Sequence, residues 1–149
     1  MVINRQKRVR VASAPLEGFL AQVMKTLHVP ADAATVCLVG DAQMARWNRT
    51  YRGKPKPTDV LSFPADGQRR GKTHTPFRNG ARVASYLGDI AIAPAVARKN
   101  ARALGRTLDD ELRVLVLHGV LHLLGYDHET DNGEMERVEL KLRTRLGFR

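Results

Sequence analysis

The sequence predicts one domain in which helices and strands mix, an α/β or α+β sandwich. Three observations predict it. At 149 residues the chain is long enough to bury one core and short for two. Four short apolar runs, residues 9–12, 36–39, 60–63 and 87–92, have the length and bounding turns of strands. Around them apolar residues recur at the helical period, and the last two segments of the chain are both helical. Pattern alone leaves the strand order open.

Residues 15–28 read as the first helix, with Leu16, Phe19, Leu20, Val23, Met24 and Leu27 on one side. His28 falls at its end, where it can meet the final carbonyls. Residues 36–39 form a buried strand that carries Cys37. Asp41 reads as the N-cap of a helix to about Thr50, with Met44 and Trp47 facing the core. Gly53, Pro55 and Pro57 make residues 51–58 a loop. After the strand at 60–63, residues 65–85 form a long basic loop that contains His74. In the strand at 87–92, Gly88 marks a bulge or the close approach of another backbone. Pro94 suits a helix start and Gly105 its stop. Residues 108–124 and 130–146 are the last two helices, the latter with Met135, Val138, Leu142 and Leu146 on its apolar side.

Charge narrows the function classes. The formal net charge is +10, and it is uneven. Residues 46–82 hold ten Lys and Arg against two acids, whereas residues 83–149 balance at ten of each. Such an excess raises affinity for polyanions in a salt-dependent way, and we read it as RNA binding in preference to a solvated basic face. No apolar run approaches the roughly 20 residues that cross a bilayer. No apolar segment of signal-peptide length follows the basic residues 1–10. With one cysteine there is no internal disulfide, as expected in a reducing compartment. The expectation is a cytoplasmic protein without membrane contact.

Chemistry concentrates in residues 118–128, HGVLHLLGYDH. Thr107 with Asp110 resembles a capping box, with Asp in place of the usual Glu. Asp109, Asp110 and Glu111 favour the positive end of the helix that follows. Within that helix His118 and His122 are i and i+4, so both rings project from one face and can share an ion. Gly125 supplies a helix stop, and the turn can return His128 to the same point. Three imidazoles with an open fourth position make a catalytic type of zinc site, with one Zn2+ per chain. The zincin-like spacing HxxxHxxGxxH matches the metzincin pattern except at Gly119, where those peptidases carry a general-base Glu.

Three stretches carry a wider resemblance. Residues 118–128 resemble the signature of the YbeY family of bacterial rRNA maturation factors and single-strand endoribonucleases. Residues 48–64, NRTYRGKPKPTDVLSFP, resemble that family's NxxYRgkdkPTDVLSFP segment, and residues 87–92 its LGDIxI strand. The likeness spans about residues 35–145, and the loop at 65–85 is longer than its family counterpart. It implies one metal-dependent RNase domain over residues 1–149, a small, mostly β layer of four strands packed on helices, and the metal in a cleft. It also implies a substrate: single-stranded ribosomal RNA at the 3′ end of the small-subunit RNA. The small ribosomal subunit is the implied partner, and ribosome quality control an implied role.

Zinc in such a site lowers the pKa of a bound water to about 7 and polarises a phosphoryl or carbonyl oxygen. Phosphodiester cleavage also needs cations around the developing charge. Arg52, at the position of the family's functional arginine, can grip two phosphate oxygens; otherwise it is a loop arginine in a surface ion pair. Lys54 and Lys56 suit backbone phosphates. Asp127 can orient an imidazole from behind or cap the turn. The nucleophile stays open between an activated water and the RNA 2′-hydroxyl. Two other classes compete: a metallopeptidase-like hydrolase, against which Gly119 argues, and a non-catalytic RNA-binding assembly factor with a structural zinc.

Overall fold

The strands pair in an order that crosses the sequence. The structure, a computed structural model, describes residues 1–65, 86–127 and 131–148. The order of elements is β1 (Val2–Asn4), α1 (Ser13–Thr26), β2 (Ala34–Leu38), α2 (Asp41–Arg52), β3 (Val60–Pro64), β4 (Gly88–Ile92), α3 (Pro94–Leu104), α4 (Leu108–Leu123) and α5 (Glu134–Arg145). The sheet runs β1-β2-β4-β3. The first three strands in that order are parallel, with Val36 beside Ile90, and β3 is antiparallel to β4, with Ser62 beside Ile90. The domain is α+β with four strands, as the sequence predicts, and the pairing makes the sheet mixed. Among the described residues no helix is long and apolar enough to cross a membrane.

Residues of β2 and β4 are buried on both faces, so the sheet is the middle layer. On one face Val36, Leu38, Ile90 and Ile92 meet Leu20, Val23 and Met24 of α1, Val116, Val120 and Leu121 of α4, and Met135 and Leu142 of α5. On the other, Cys37, Ala91, Leu61 and Phe63 meet Met44 and Trp47 of α2. Burial pushes the Cys37 thiol pKa up, opposed by nearby Arg5 and reinforced by Asp89, which fits the expected inert strand thiol.

The first strand is not where the apolar run at 9–12 places it. β1 is Val2–Asn4, because these residues complete the ladder against Val36–Leu38. Val9 is buried nonetheless. Its backbone is satisfied by a side chain: Val9 N–H donates to Gln6 Oε1 at 2.9 Å, and Gln6 Nε2 donates to the Val9 carbonyl at 2.8 Å. Helix α2 runs two residues past Thr50, to Arg52, and ends at Gly53 in the left-handed region with φ of 71°. Gly40 rather than Asp41 is its N-cap. Helix α5 starts at Glu134 instead of Thr130, since Gly133 takes φ of 88° and the Asp131 carboxylate accepts from Gly133 N–H and Met135 N–H, each at 2.9 Å. His28 ends α1 through its backbone, in the left-handed position usually held by glycine. The basic loop expected at 65–85, with His74, lies outside the described residues beyond Ala65.

Two glycines set the spacing of the layers. A Cβ on Gly88 would collide with the Phe63 carbonyl oxygen and come within 2.9 Å of Pro64 Cα, which is the backbone approach the sequence suggested. A Cβ on Gly119 would lie 2.8 Å from Ile90 Cγ2 and 3.0 Å from Ile90 Cδ1. Helix α4 therefore rests on β4 at its one residue without a side chain. Alanine gains about 1 kcal/mol of helix propensity over glycine, while overpacking a core costs about 1–3 kcal/mol. Gly119→Ala is expected to lower unfolding stability in urea by about 1 kcal/mol instead of raising it. Adding Ile90→Val should return part of the loss, since it removes Cδ1 and leaves Cγ2.

Candidate metal centre

The two histidines of α4 are placed by the helix's own geometry and by what its other sides bury. Thr107 caps α4, its hydroxyl accepting from Asp110 N–H at 3.1 Å. Glu111 in the first turn is buried and paired with Arg106 at 2.5 Å. Leu117, Val120 and Leu121 enter the core, and Ser62 of β3 donates to the Gly119 carbonyl at 3.1 Å. What remains partly open is the side that carries His118 and His122. Their rings lie 4.6 Å apart at 77°, and the two Nε2 atoms are 3.1 Å apart.

The other nitrogen of each ring faces an acceptor. His118 Nδ1 lies 3.0 Å from Glu139 Oε1 of α5, and His122 Nδ1 lies 2.9 Å from the Tyr126 carbonyl oxygen. A carboxylate and a carbonyl only accept, so each Nδ1 carries the proton. With both rings in the neutral form, the two Nε2 atoms would present lone pairs to each other. Two lone pairs at that distance repel unless a cation lies between them. Zinc bound at about 2.0–2.1 Å in tetrahedral geometry would set two nitrogens about 3.3 Å apart, close to the separation observed. The donor set fits such an ion.

Tyr126 reaches His122 through the turn that stops α4. Gly125, at φ of 102°, lets Gly125 N–H donate to His122 O at 3.0 Å and Tyr126 N–H to Leu121 O at 3.1 Å. This is the Schellman closure, and it folds the Tyr126 carbonyl back over the last turn. Glu139 is held from behind by Arg143 at 3.5 Å, and the Arg143 guanidinium lies 5.9 Å from the centre of the Phe148 ring. Sequence reading missed Glu139. The available signal was an acid between Met135 and Leu142, i+4 from one and i−3 from the other, inside the apolar stripe of α5.

Of the expected ligands, the structure brings His118 and His122 together; His128 lies outside the described residues. Among the described residues no group of three His, Cys, Asp or Glu gathers at one point. Asp127 is exposed, and the positions behind His118 and His122 are filled by Glu139 and Tyr126. Arg52 ends α2 on the other face of the sheet and is exposed, as are Lys54 and Lys56. Among the described residues no carboxylate pairs with Arg52, and no hydrogen bond joins it to the histidine pair. The segment is tied down by Asn48, whose buried side chain donates to the Lys56 carbonyl at 2.7 Å. Tyr51 packs edge-on against Phe63 of β3.

Residues 1–147 match the sequence profile of a family described as Endoribonuclease YbeY. The chain belongs to the YbeY endoribonuclease family. Among relatives called Endoribonuclease YbeY, one from Koribacter versatilis is 40% identical over 148 residues, covering 98% of this chain and 85% of its own length. Another, from Leifsonia xyli subsp. xyli, is 35% identical over 147 residues, covering 98% of this chain and 93% of its own. A solution structure of a Thermotoga maritima protein superposes with a TM-score of 0.60 at 28% identity, over 98% of this chain and 89% of that one. YbeY proteins are thus the family of this fold, and RNA-cutting hydrolases by name.

The hydrogen-bond pattern makes the ring tautomers testable without any metal. Long-range 15N–1H correlation spectra are expected to show both His118 and His122 protonated on Nδ1. In Glu139→Ala the His118 pattern should shift towards the Nε2-protonated form, the more common one in water, while His122 keeps its Tyr126 bond.

Proposed function

We propose that this chain is a zinc-dependent endoribonuclease that cuts single-stranded RNA in the cytoplasm. Its proposed substrate is ribosomal RNA at the 3′ end of the small-subunit RNA, within ribosome maturation and quality control. Family membership supports the reaction class. The observation that carries the zinc is the pair of Nε2 atoms at 3.1 Å, each ring proton being held on the far nitrogen. His118, His122 and, from the HxxxHxxGxxH spacing, His128 are the proposed ligands. When bound, zinc would polarise a phosphoryl oxygen and acidify a water.

The chain's own residues do the rest. Glu139 and the Tyr126 carbonyl fix the tautomers and ring orientations, and the carboxylate raises the basicity of His118. Arg52, without a carboxylate partner among the described residues, offers its guanidinium fork to a phosphate. Lys54 and Lys56 add positive potential beside it. Asp127 remains a proposed outer acceptor for the third ring. The peptidase alternative loses ground beyond the missing carboxylate: a side chain at residue 119 would run into Ile90 of the sheet.

Metal analysis of purified protein is expected to give about one zinc per chain. His122→Ala should lose it, and Glu139→Ala should bind it about 10- to 100-fold more weakly. No uptake by folded protein would reject the metal. Arg52→Ala is expected to keep its fold and its zinc and lose about 10²–10³ in cleavage rate, with Arg52→Lys recovering only part. Full cleavage by Arg52→Ala, measured beside a mock purification to exclude contaminating nuclease, would remove Arg52 from the site.

A further inference from the structure

We propose that the outward side of α2, with Arg46, Arg49 and Arg52, is a track for single-stranded RNA that ends at the exposed edge of Tyr51 beside Arg52. Phosphates lie along the arginines and one base stacks on Tyr51. The proposal rests on the RNA-cutting reading above and says where the strand binds.

Helix α2 is the helix whose buried residues pack on this face of the sheet, through Met44, with Trp47 and Tyr51 against Phe63. Its reverse side carries Arg46, Arg49 and Arg52, all exposed. They are spaced i, i+3 and i+6, about 4.5 Å of helix rise per step. Between residues 46 and 56 the chain has five cations, with Lys54 and Lys56, and no acid. Among the described residues none of the five pairs with a carboxylate, and Arg46 reaches only the neutral Gln43, at 2.8 Å. A basic face that serves only solubility would gain from acids one turn away, whereas like charges at this spacing repel. Three unbalanced guanidinium forks in a row suit a run of phosphates.

Tyr51 adds what phosphate binding does not need. It is 52% exposed, and its ring is braced at 78° against Phe63 with centroids 5.2 Å apart. A fixed aromatic surface beside a cationic row binds unpaired bases, which a duplex would keep stacked within itself. Through the sheet this face is joined to the helix that carries the histidines. Tyr51 touches Phe63 on the edge strand β3, and the neighbouring Ser62 holds the carbonyl of Gly119, next to His118.

The test uses the full chain as purified and a dye-labelled 2′-O-methyl oligouridylate, single-stranded or in duplex, followed by fluorescence anisotropy. Tyr51→Leu keeps an apolar contact to Phe63 and loses the aromatic face. It is expected to weaken single-strand binding about 5- to 150-fold, while Tyr51→Phe and Tyr51→Trp retain it. The double change R46Q and R49Q should lower the slope of log affinity against log salt by about 1.4. In cleavage assays both should raise KM and leave kcat unchanged. Equal losses in the Leu and Phe variants, equal loss on duplex, or an unchanged salt slope would overturn the track. Should the track fail while Arg52→Ala still abolishes cleavage, the RNA-cutting reading stands. Should these variants behave as expected in a protein that cuts no RNA, the track stands and that reading falls.

Discussion

Helix α4, which carries His118 and His122, lies close on the sheet because residue 119 has no side chain. The Cβ position of Gly119 falls within 2.8 Å of Ile90 at the centre of β4. This contact sets the depth of α4, brings the Gly119 carbonyl to Ser62 of the edge strand, and leaves the side with His118 and His122 partly exposed. In a zinc peptidase the same position must carry a carboxylate. Here a side chain at that position would have to displace Ile90.

The histidine pair is held by parts of the chain far apart in sequence. Behind His118 stand Glu139, then Arg143, then the ring of Phe148, which packs at 79° against Phe19 of α1. Behind His122 stands a carbonyl that belongs to the helix stop itself. One ring is thus oriented by tertiary packing of α5 and the other by local backbone closure. Both arrangements leave the two Nε2 atoms facing one another at 3.1 Å, a pair of nitrogens that fits a shared cation.

Much of this was legible beforehand where the determining interaction is local. The helices at α1, α3 and α4 follow from their apolar period and their stops, and the Thr107 cap from its spacing to Asp110. The misplaced first strand shows the opposite case. The run at 9–12 is as apolar as Val2–Asn4, and only the vacant edge of β2 selects between them. Likewise Gly133 looks neutral in sequence, yet at φ of 88° it is the N-cap of α5.

The sequence by itself determined that His118 and His122 share a face, since the pitch of an α-helix places i and i+4 together in any context. It also determined that the positive charge gathers before the histidines and that α4 stops at Gly125. Tertiary structure alone decided that the parallel strands lie together with β3 on the edge, that Glu139 of the α5 stripe meets His118, and that Gly119 meets Ile90. These are contacts between segments separated by 21 to 57 residues, as for Glu139 with His118 and Ser62 with Gly119. Periodicity carries information over a few turns of chain, and the closing of such loops depends on how whole layers pack.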